Sequence, residues 1–238
     1  MRILAFESSA KAASVAVLDG EKLLGEYYQN SGQTHSRTLM QMASDLLRNC
    51  DLTPADIDAC AVAAGPGSFT GVRIGVAAAK GFCWGREVPL FGVSTLLAMA
   101  RGAAPFDGLI VPVMDARRSQ VYCAVFSSEN GKLTRLADDA ALSLGELAGR
   151  LENSEKNKLL VGDGAELCYN TLYGRVPGLI LAPEHLRHQR ASGAALCAAE
   201  RAASGERPEA GALRPSYLRV PQAERERNER LKTERSSE

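Results

Sequence analysis

The segment that decides the fold reads AAGPGSFTGVRIG over residues 63–75. It follows an apolar run at 58–64 that predicts a buried strand, and the apolar and small residues of 69–85 predict a helix. The glycines and the proline between them predict a sharp bend, with Ser68 as the N-cap of the helix. The order is therefore strand, glycine-rich bend and helix, which is typical of α/β proteins.

Two interpretations of this bend are open. Backbone N–H groups at a helix start, together with the helix dipole, attract phosphate or carboxylate groups. On this interpretation, the candidates for binding an anion or a nucleotide are Gly65, Gly67, Ser68 and Thr70. The bend is not a Walker loop, because no Gly-Lys-Ser/Thr follows, and it lacks the third glycine of a dinucleotide-binding fingerprint. The alternative, which spacing alone favours, is a tight capped turn whose following glycines allow close helix packing.

The order of elements at the start of the chain returns near residue 109. A buried strand ends at Glu7, and a short polar loop then leads to a second strand and an Asp19-Gly20 turn. In the same way, a strand ends at Asp115, and a polar loop leads to a strand and an Asn130-Gly131 turn. Asp-Gly and Asn-Gly are strong hairpin signals. The repetition predicts a duplicated α/β fold with two lobes, each built on a strand-hairpin-helix unit.

The lobes can be placed along the chain. We expect the first lobe to contain residues 1–105 together with about 190–220, because an alanine-rich helix predicted at 191–203 returns to it. The second lobe is expected at 106–189. After Pro221 the chain is rich in Glu and Arg with hardly any apolar residue. This composition predicts a disordered, charged tail over 221–238.

The composition argues against several classes of protein. The chain has 28 basic residues (Lys and Arg) and 28 acidic residues (Asp and Glu), so its formal net charge is zero. Independent binding of nucleic acid is not expected, since such affinity rests on neutralising phosphates. No apolar stretch is long enough for a secretory signal or for a membrane span of roughly 20 residues. The six cysteines are scattered without a Cys-x-x-Cys pair, which predicts reduced thiols in a cytoplasmic protein without membrane association.

The bend and three other segments resemble the landmarks of one family. The run at 65–75, the opening ILAFESS at 3–9, DARR at 115–118 and RPSYLR at 214–219 are similar to those of the TsaB (YeaZ) family. Glu7 is a conservative departure from the Asp expected in many relatives. The resemblance implies an actin-like/Hsp70-like ATPase fold, which is ribonuclease H-like.

The resemblance also implies a function. Proteins of this family are non-catalytic partners of a TsaD-type catalytic subunit and a TsaE-type ATPase. The TsaD-type subunit transfers threonylcarbamoyl from its adenylate to N6 of the adenosine 3′ of the anticodon, in tRNAs that read codons starting with A. We therefore expect this chain to contact tRNA as part of the complex, and to form a homodimer when its partners are absent.

The residues themselves argue against catalysis by this chain. The catalytic relative holds its metal with two histidines spaced i, i+4 on one helical face. In the helix predicted here at 35–50, His35 is present, but Leu39 takes the second position. A second pair, His185 and His188, lies beside arginines, so a solvated helix start is the better interpretation. No metal is therefore expected.

Two acids keep an alternative function open. Glu7 and Asp115 match the places of the acids that ATP-dependent kinases of this fold set near the phosphates, which suggests a small-molecule ATP-dependent phosphotransferase. Against it, the loop SSAK at 8–11 lacks a glycine that would let the backbone approach a phosphate. The loop after Asp115 carries arginines instead. We expect no cofactor of the chain's own, with ATP or ADP bound only at a subunit interface.

Two helices form the predicted docking face. The helix at 35–50 has apolar groups around more than the usual stripe of a surface helix, and the helix at 69–85 is rich in small residues. Both helices could instead be buried in their own lobe, but the resemblance favours docking. The predicted partner interface is Leu39, Met40, Met42, Leu46, Leu47, Gly71, Gly75, Ala78 and Phe82. The predicted contacts to tRNA or to the partner are Arg117, Arg118, Arg214 and Arg219.

Overall fold

The computed structural model describes residues 1–219, so the tail predicted at 221–238 lies outside the described residues. Ten strands and seven α-helices follow one another in this part of the chain. The strands are β1 Arg2–Glu7, β2 Ala13–Asp19, β3 Lys22–Gln29, β4 Ala59–Gly65, β5 Leu90–Ser94, β6 Gly108–Asp115, β7 Gln120–Glu129, β8 Lys132–Ser143, β9 Lys158–Val161 and β10 Leu179–Leu181. The helices are α1 His35–Asn49, α2 Phe69–Cys83, α3 Thr95–Gly102, α4 Leu144–Leu151, α5 Ala165–Leu172, α6 Glu184–Arg187 and α7 Ala191–Ala203.

The strands form two sheets with the same topology. Their orders are β3-β2-β1-β4-β5 and β8-β7-β6-β9-β10. In each sheet the three strands that come first along the chain pair antiparallel with one another. The two later strands run parallel to the central strand, which is β1 in one sheet and β6 in the other. Glu7 and Asp115 end the equivalent strands β1 and β6, so the predicted duplicated α/β fold is confirmed. The lobe boundaries near residues 105 and 190 stay predictions.

The first sheet is covered on both sides, because alternate side chains of a strand point to opposite faces. Leu4 and Phe6 of β1 belong to the core under α1 and α2. Ile3 and Ala5 belong to the core under α7. Burial on both faces explains why β1 and β4 are almost continuously apolar in sequence.

Two observations concern the environment of the chain. No helix within residues 1–219 is long and apolar enough to cross a membrane. All six cysteines lie in this part of the chain and are free, and all except Cys50 are buried. The five buried cysteines are small core side chains, as the apolar runs around most of them in the sequence indicate.

Helix α7 is joined to the first sheet by the carboxylate of Glu26 on β3. This group accepts the N–H of Ser192 at 3.0 Å, the hydroxyl of Ser14 at 3.1 Å and the guanidinium of Arg190 at 3.3 Å. The Glu26 side chain is only 11% exposed. A carboxylate at a helix N-terminus satisfies free N–H groups and interacts favourably with the helix dipole. Glu26 therefore fixes the start of the helix that returns to the first lobe.

We expect Glu26→Gln to lower the free energy of unfolding by about 2 kcal/mol, because the charge at the helix start and the partly buried ion pair with Arg190 are both lost. Urea denaturation of the variant and the wild type at pH 7 measures the difference. The matched control is Glu152→Gln, whose ion pair with Arg175 is 3.4 Å long and exposed. Such a pair contributes at most ~1 kcal/mol, so equal losses in the two variants would contradict the assigned role of Glu26.

Candidate functional site

A cleft of about 360 Å³ lies between the two lobes, at the carboxyl ends of β1 and β6. Its walls come from the β1–β2 loop, the bend before α2, the loop after β6, the bend after β9 and the C-terminal segment. Ligands of α/β sheets commonly bind at this end of the strands. The charged and aromatic side chains that line the cleft include Lys11, Asp115, Arg117, Asp163, Tyr217 and Arg219.

The bend before α2 lies between two other parts of the backbone. The N–H of Ser68 donates to the carbonyl of Ser9 at 2.6 Å, and the N–H of Ser216 donates to the carbonyl of Ala64 at 2.7 Å. Gly65 has a φ of +119°, and a Cβ at this position would lie 2.1 Å from the Ser216 carbonyl oxygen. Only glycine tolerates both the conformation and the contact. The bend thus joins the first hairpin loop to the C-terminal segment.

The structure separates the four predicted anion-binding residues. Gly67 and Ser68 line the cleft, whereas Gly65 and Thr70 do not. The hydroxyl of Ser68 accepts the N–H of Gly71 at 3.3 Å, as an N-cap residue does. The N–H of Ser68 is already bonded within the protein, so this donor is not free for an anion. Anion binding at the bend stays a prediction.

Glu7 lies behind the Ser9 wall of the cleft and is 0% exposed. One carboxylate oxygen accepts the N–H of Ser9 at 2.6 Å, and the other has no hydrogen-bond partner in the protein. Burial, with the nearby charge of Asp163 as a smaller cause, raises the pKa of Glu7 to about 7 despite the hydrogen bonding from Ser9. Perturbed acids of this kind are concentrated at functional sites.

Asp163 is a residue of the cleft that the sequence analysis does not single out. The side-chain amide of Gln189 donates to its carboxylate at 2.7 Å, and burial raises the pKa of Asp163. Gly162 lets this bend lie against β6, since a Cβ there would be 2.1 Å from the carbonyl oxygen of Val113. The bend follows β9 as the bend of the first lobe follows β4. Its position in the internal repeat is therefore the signal that could have identified Asp163.

The four arginines predicted to contact tRNA or the partner fall into two groups. Arg117 and Arg219 line the cleft, and Arg118 is exposed beside them. A guanidinium N–H of Arg219 donates to the carbonyl of Ala116 at 2.9 Å. Arg214 instead donates only to carbonyls of its own segment, at 2.6 and 2.9 Å. Two of the four therefore meet in the cleft, and Arg118 is exposed next to Arg117 in the chain.

An aromatic pair that was not predicted lies at the edge of the cleft. The rings of Phe69 and Tyr217 are 5.0 Å apart. The guanidinium of Arg73 lies 3.7 Å from the centre of the Phe69 ring, and its Nε donates to the Tyr217 hydroxyl at 2.9 Å. Tyr217 belongs to the RPSYLR stretch and Phe69 to the glycine-rich segment. The structure thus connects two landmarks that are far apart in sequence.

Most residues of the predicted partner interface are part of the core of the first lobe. The alternative that both helices are buried in their own lobe holds for these side chains, because α1 and α2 use their apolar faces to cover one side of the sheet. The buried side chains are Leu39 at 1%, Met42 at 9%, Leu46 at 1%, Leu47 at 4% and Phe82 at 9% exposure. Gly71 and Gly75 are buried as well.

The accessible surface of α1 and α2 has a different composition. Of the predicted interface residues, Met40 is 45% exposed and Ala78 is half-buried. Two small residues of α2 are exposed, Ala77 and Gly81, and Trp84 at the end of the helix is 88% exposed. We call these five residues the outer face. The interface itself stays a prediction, which now rests on the outer face.

Two of the three histidines, His35 and His188, have partners within the protein. The Nε2 atom of His35 lies 2.7 Å from the carbonyl oxygen of Ala10, which connects the start of α1 to the first hairpin loop. The Nε2 atom of His188 lies 2.9 Å from the carboxylate of Glu184. Among residues 1–219, no group of three or more His, Cys, Asp or Glu side chains is arranged to hold a metal ion.

Comparison with known proteins places the sequence in one family. Residues 25–226 match the model described as TsaD: tRNA N6-adenosine threonylcarbamoyltransferase. The chain is 34% identical over 227 residues to the tRNA threonylcarbamoyladenosine biosynthesis protein TsaB of Bacillus subtilis (strain 168), covering 94% of this chain and 96% of that protein. It is 34% identical over 184 residues to TsaB of Escherichia coli (strain K12), with 76% and 78% covered.

Solved structures agree with the sequence comparison. YeaZ from Pseudomonas aeruginosa superposes with a TM-score of 0.78 at 26% identity, covering 91% of this chain and 99% of that chain. Component A of (R)-2-hydroxyglutaryl-CoA dehydratase from Acidaminococcus fermentans has a TM-score of 0.50 at 14% identity, covering 85% and 99%, which is a likeness of fold alone. The predicted actin-like ATPase fold is therefore confirmed. With a curated relative matched over almost its whole length, the chain belongs to the TsaB (YeaZ) family of tRNA threonylcarbamoyladenosine biosynthesis proteins.

Proposed function

We propose that this chain is a partner subunit, without catalytic activity of its own, in the formation of threonylcarbamoyladenosine in tRNA. Its relatives from two bacteria are named for this biosynthesis, and the matching family model is named for the transferase. In the proposed reaction, a TsaD-type subunit transfers threonylcarbamoyl from its adenylate to N6 of the adenosine 3′ of the anticodon. The substrates are tRNAs that read codons starting with A.

The observation that carries the non-catalytic role is the position of Leu39. It follows His35 by one helical turn, where a metal-binding pair of this kind needs its second histidine. Leu39 is 1% exposed within the apolar core, and His35 is bonded to the first hairpin loop. This supports assigning the transfer chemistry to the partner and a binding role to this chain.

We place the docking of the TsaD-type subunit on the outer face. Met40 and Trp84 offer exposed apolar side chains, while Ala77 and Gly81 are small enough for a second helix to approach the α2 backbone closely. The same exposed apolar and small residues support a homodimer when the partner is absent. The proposal includes a TsaE-type ATPase in the complex, ATP or ADP at a subunit interface, and a cytoplasmic location.

The test is a reconstituted reaction with unmodified tRNA, purified TsaD-type and TsaE-type partners and pre-made threonylcarbamoyl-adenylate. It is run with this chain, without it, and with this chain alone. Product formed only when the chain and its partners are together is the expected result. Equal product without the chain would overturn the proposal, and product from the chain alone would show that catalysis resides here.

We expect Gly81→Arg to reduce the rate of product formation at least about tenfold, which corresponds to ~1.4 kcal/mol of docking free energy. No atom lies within 4 Å of a Cβ at Gly81, so the variant folds, but its long charged side chain blocks the close approach of a helix. The matched control is Gly149→Arg on α4 of the second lobe, which is equally open. Initial rates and co-elution with the TsaD-type subunit measure the effect. Equal rates for both variants would place the docking face elsewhere.

A second function, that of a small-molecule ATP-dependent phosphotransferase, is favoured by the cleft between the lobes. Lys11 and Asp115 face the same space there, as a cation and an acid do around the phosphates of a kinase. In the presence of magnesium, the isolated chain would then transfer the γ-phosphoryl group of ATP to a small hydroxyl acceptor and release ADP, and Asp115→Asn would abolish this turnover. If the isolated chain shows no such turnover and the reconstituted reaction gives product, only the partner-subunit function remains supported.

A further inference from the structure

The C-terminal segment at 213–219, which we call the strap, runs along the first lobe to the mouth of the cleft. The N–H of Ser216 donates to the carbonyl of Ala64 at 2.7 Å. The hydroxyl of Tyr217 accepts from Arg73 at 2.9 Å. These contacts fix the strap to the first lobe, immediately beside the bend before α2.

Arg219 is the residue with which the strap reaches the second lobe. Its guanidinium donates at 2.9 Å to the carbonyl of Ala116, the first residue of the loop at 116–119 between β6 and β7. Arg219 is itself half-buried. A hydrogen bond from a charged donor is stronger than a neutral one, and this one connects the two lobes across the cleft.

The loop that receives this bond has an uncommon backbone. Arg117, Arg118 and Ser119 have φ angles of 61°, 55° and 57°, in the left-handed region that residues with a side chain rarely adopt. None of the three is glycine. Three successive residues in this region persist only where surrounding contacts hold them.

Three contacts within the loop and one from outside hold this conformation. The N–H of Arg117 donates to the Asp115 carboxylate at 2.7 Å. The N–H of Ala116 donates to the carbonyl of Gln120 at 3.0 Å, and the N–H of Gln120 donates to the carbonyl of Arg117 at 3.2 Å. The bond from Arg219 is the one that comes from the other lobe, so it makes the shape of the loop depend on the position of the strap.

We propose that Arg219 is a positioning residue: it holds the loop at 116–119 in its left-handed conformation and thereby sets Arg117 and Arg118 at the mouth of the cleft. Arg117 and Lys11 line the cleft, and Arg118 is exposed. Together they form a cationic edge, which suits the phosphates of an RNA backbone. The positioning stands on the contacts alone, whereas the contact with tRNA rests on the proposed function.

The positioning is tested by amide hydrogen exchange of the full chain, read on a peptide that covers residues 115–121. Arg219→Ala is expected to raise exchange of this peptide about tenfold, as loss of a charged hydrogen bond predicts. Arg219→Lys should restore part of the protection. The control is Arg214→Ala, which removes the same charge from the same strap but breaks bonds only within its own segment. Unchanged exchange in Arg219→Ala, or an equal rise in a peptide covering β9, would overturn the proposal.

The contact with tRNA is tested separately in the reconstituted complex. Arg219→Ala and Arg117→Ala are each expected to raise the KM for tRNA about fivefold with kcat unchanged, and their combination should be less than additive because one acts through the other. Arg175→Ala, an exposed arginine of the second lobe, is the control. If loop exchange rises but the KM for tRNA does not, the RNA contact is overturned while the positioning stands. If the wild-type complex forms no product, the proposed function fails and hydrogen exchange still decides the role of Arg219.

Discussion

Replacing Glu7 by glutamine is expected to raise the free energy of unfolding at pH 8 by about 3 kcal/mol. Burial raises the pKa of Glu7 from 4.5 to about 7 in the folded protein. Between these values the folded protein binds more protons at this carboxyl than the unfolded chain does, so stability falls as pH rises through the window. Above pH 7 the cost is complete, and a neutral glutamine removes it.

Denaturant unfolding of Glu7→Gln and the wild type at pH 5 and pH 8 measures this effect. The gain should shrink to about 1 kcal/mol at pH 5, where the folded carboxyl is already neutral. The control is Glu21→Gln, at an exposed position of the first hairpin, which should change stability at neither pH. A gain that is equal at both pH values, or a loss at pH 8, would contradict the raised pKa of Glu7.

An alanine at Gly71 is expected to destabilise the protein by about 3 kcal/mol or more. A Cβ at this position would lie 2.1 Å from the carbonyl oxygen of Ser8, and the Ser8 hydroxyl donates to the Gly71 carbonyl at 2.9 Å. The obstacle is backbone, so it cannot rotate away as a side chain would. Helix α2 must then move off the first hairpin loop, which opens the wall of the cleft.

The control for Gly71→Ala is Gly81→Ala, which makes the same change on a different face of α2. Gly81 lies in the same helix with nothing within 4 Å of a Cβ, so Gly81→Ala should stabilise the protein by up to ~1 kcal/mol through helix propensity. Thermal unfolding of the two variants should therefore shift in opposite directions. An unchanged or raised unfolding temperature in Gly71→Ala would show that the close approach at Gly71 is not maintained in solution. A Cβ at Gly75 would lie 2.5 Å from the Ser8 hydroxyl oxygen, and Leu39 is 1% exposed. We therefore expect Gly75→Leu and Leu39→Glu to affect folding and not docking.

Local signals predicted several elements well. The spacing of apolar residues predicted helices at 35–50 and 69–85, and the structure has them at His35–Asn49 and Phe69–Cys83. Ser68 caps α2 as predicted. Ser143 followed three residues later by Glu146 is also a capping-box pattern in the sequence, and it begins α4 in the structure. Caps and helical periods depend on residues within one or two turns of each other, so they can be read along the chain.

The sequence after the Asn130-Gly131 turn indicates a strand over 132–136, whereas β8 extends to Ser143. Asp138 and Asp139 interrupt the strand pattern of the sequence, since aspartate is unfavourable in strands. In the structure, Asp139 accepts from Ser94 of the first lobe at 2.5 Å and from Arg135 at 2.6 Å. The partner that makes this aspartate acceptable lies 45 residues away along the chain, so no local pattern could predict it.

By itself, the sequence determined the duplicated α/β fold, the bend that precedes α2 and the resemblance to the TsaB family, because apolar periods, turn residues and signature strings are local. Only the tertiary structure decided which apolar residues of α1 are core, leaving Met40 on the surface. It also brought Asp163, Tyr217 and Arg219 to one cleft. The physical reason is that burial and long-range hydrogen bonds depend on how the two sheets, α7 and the strap pack together, and residues distant in sequence meet only in the folded chain.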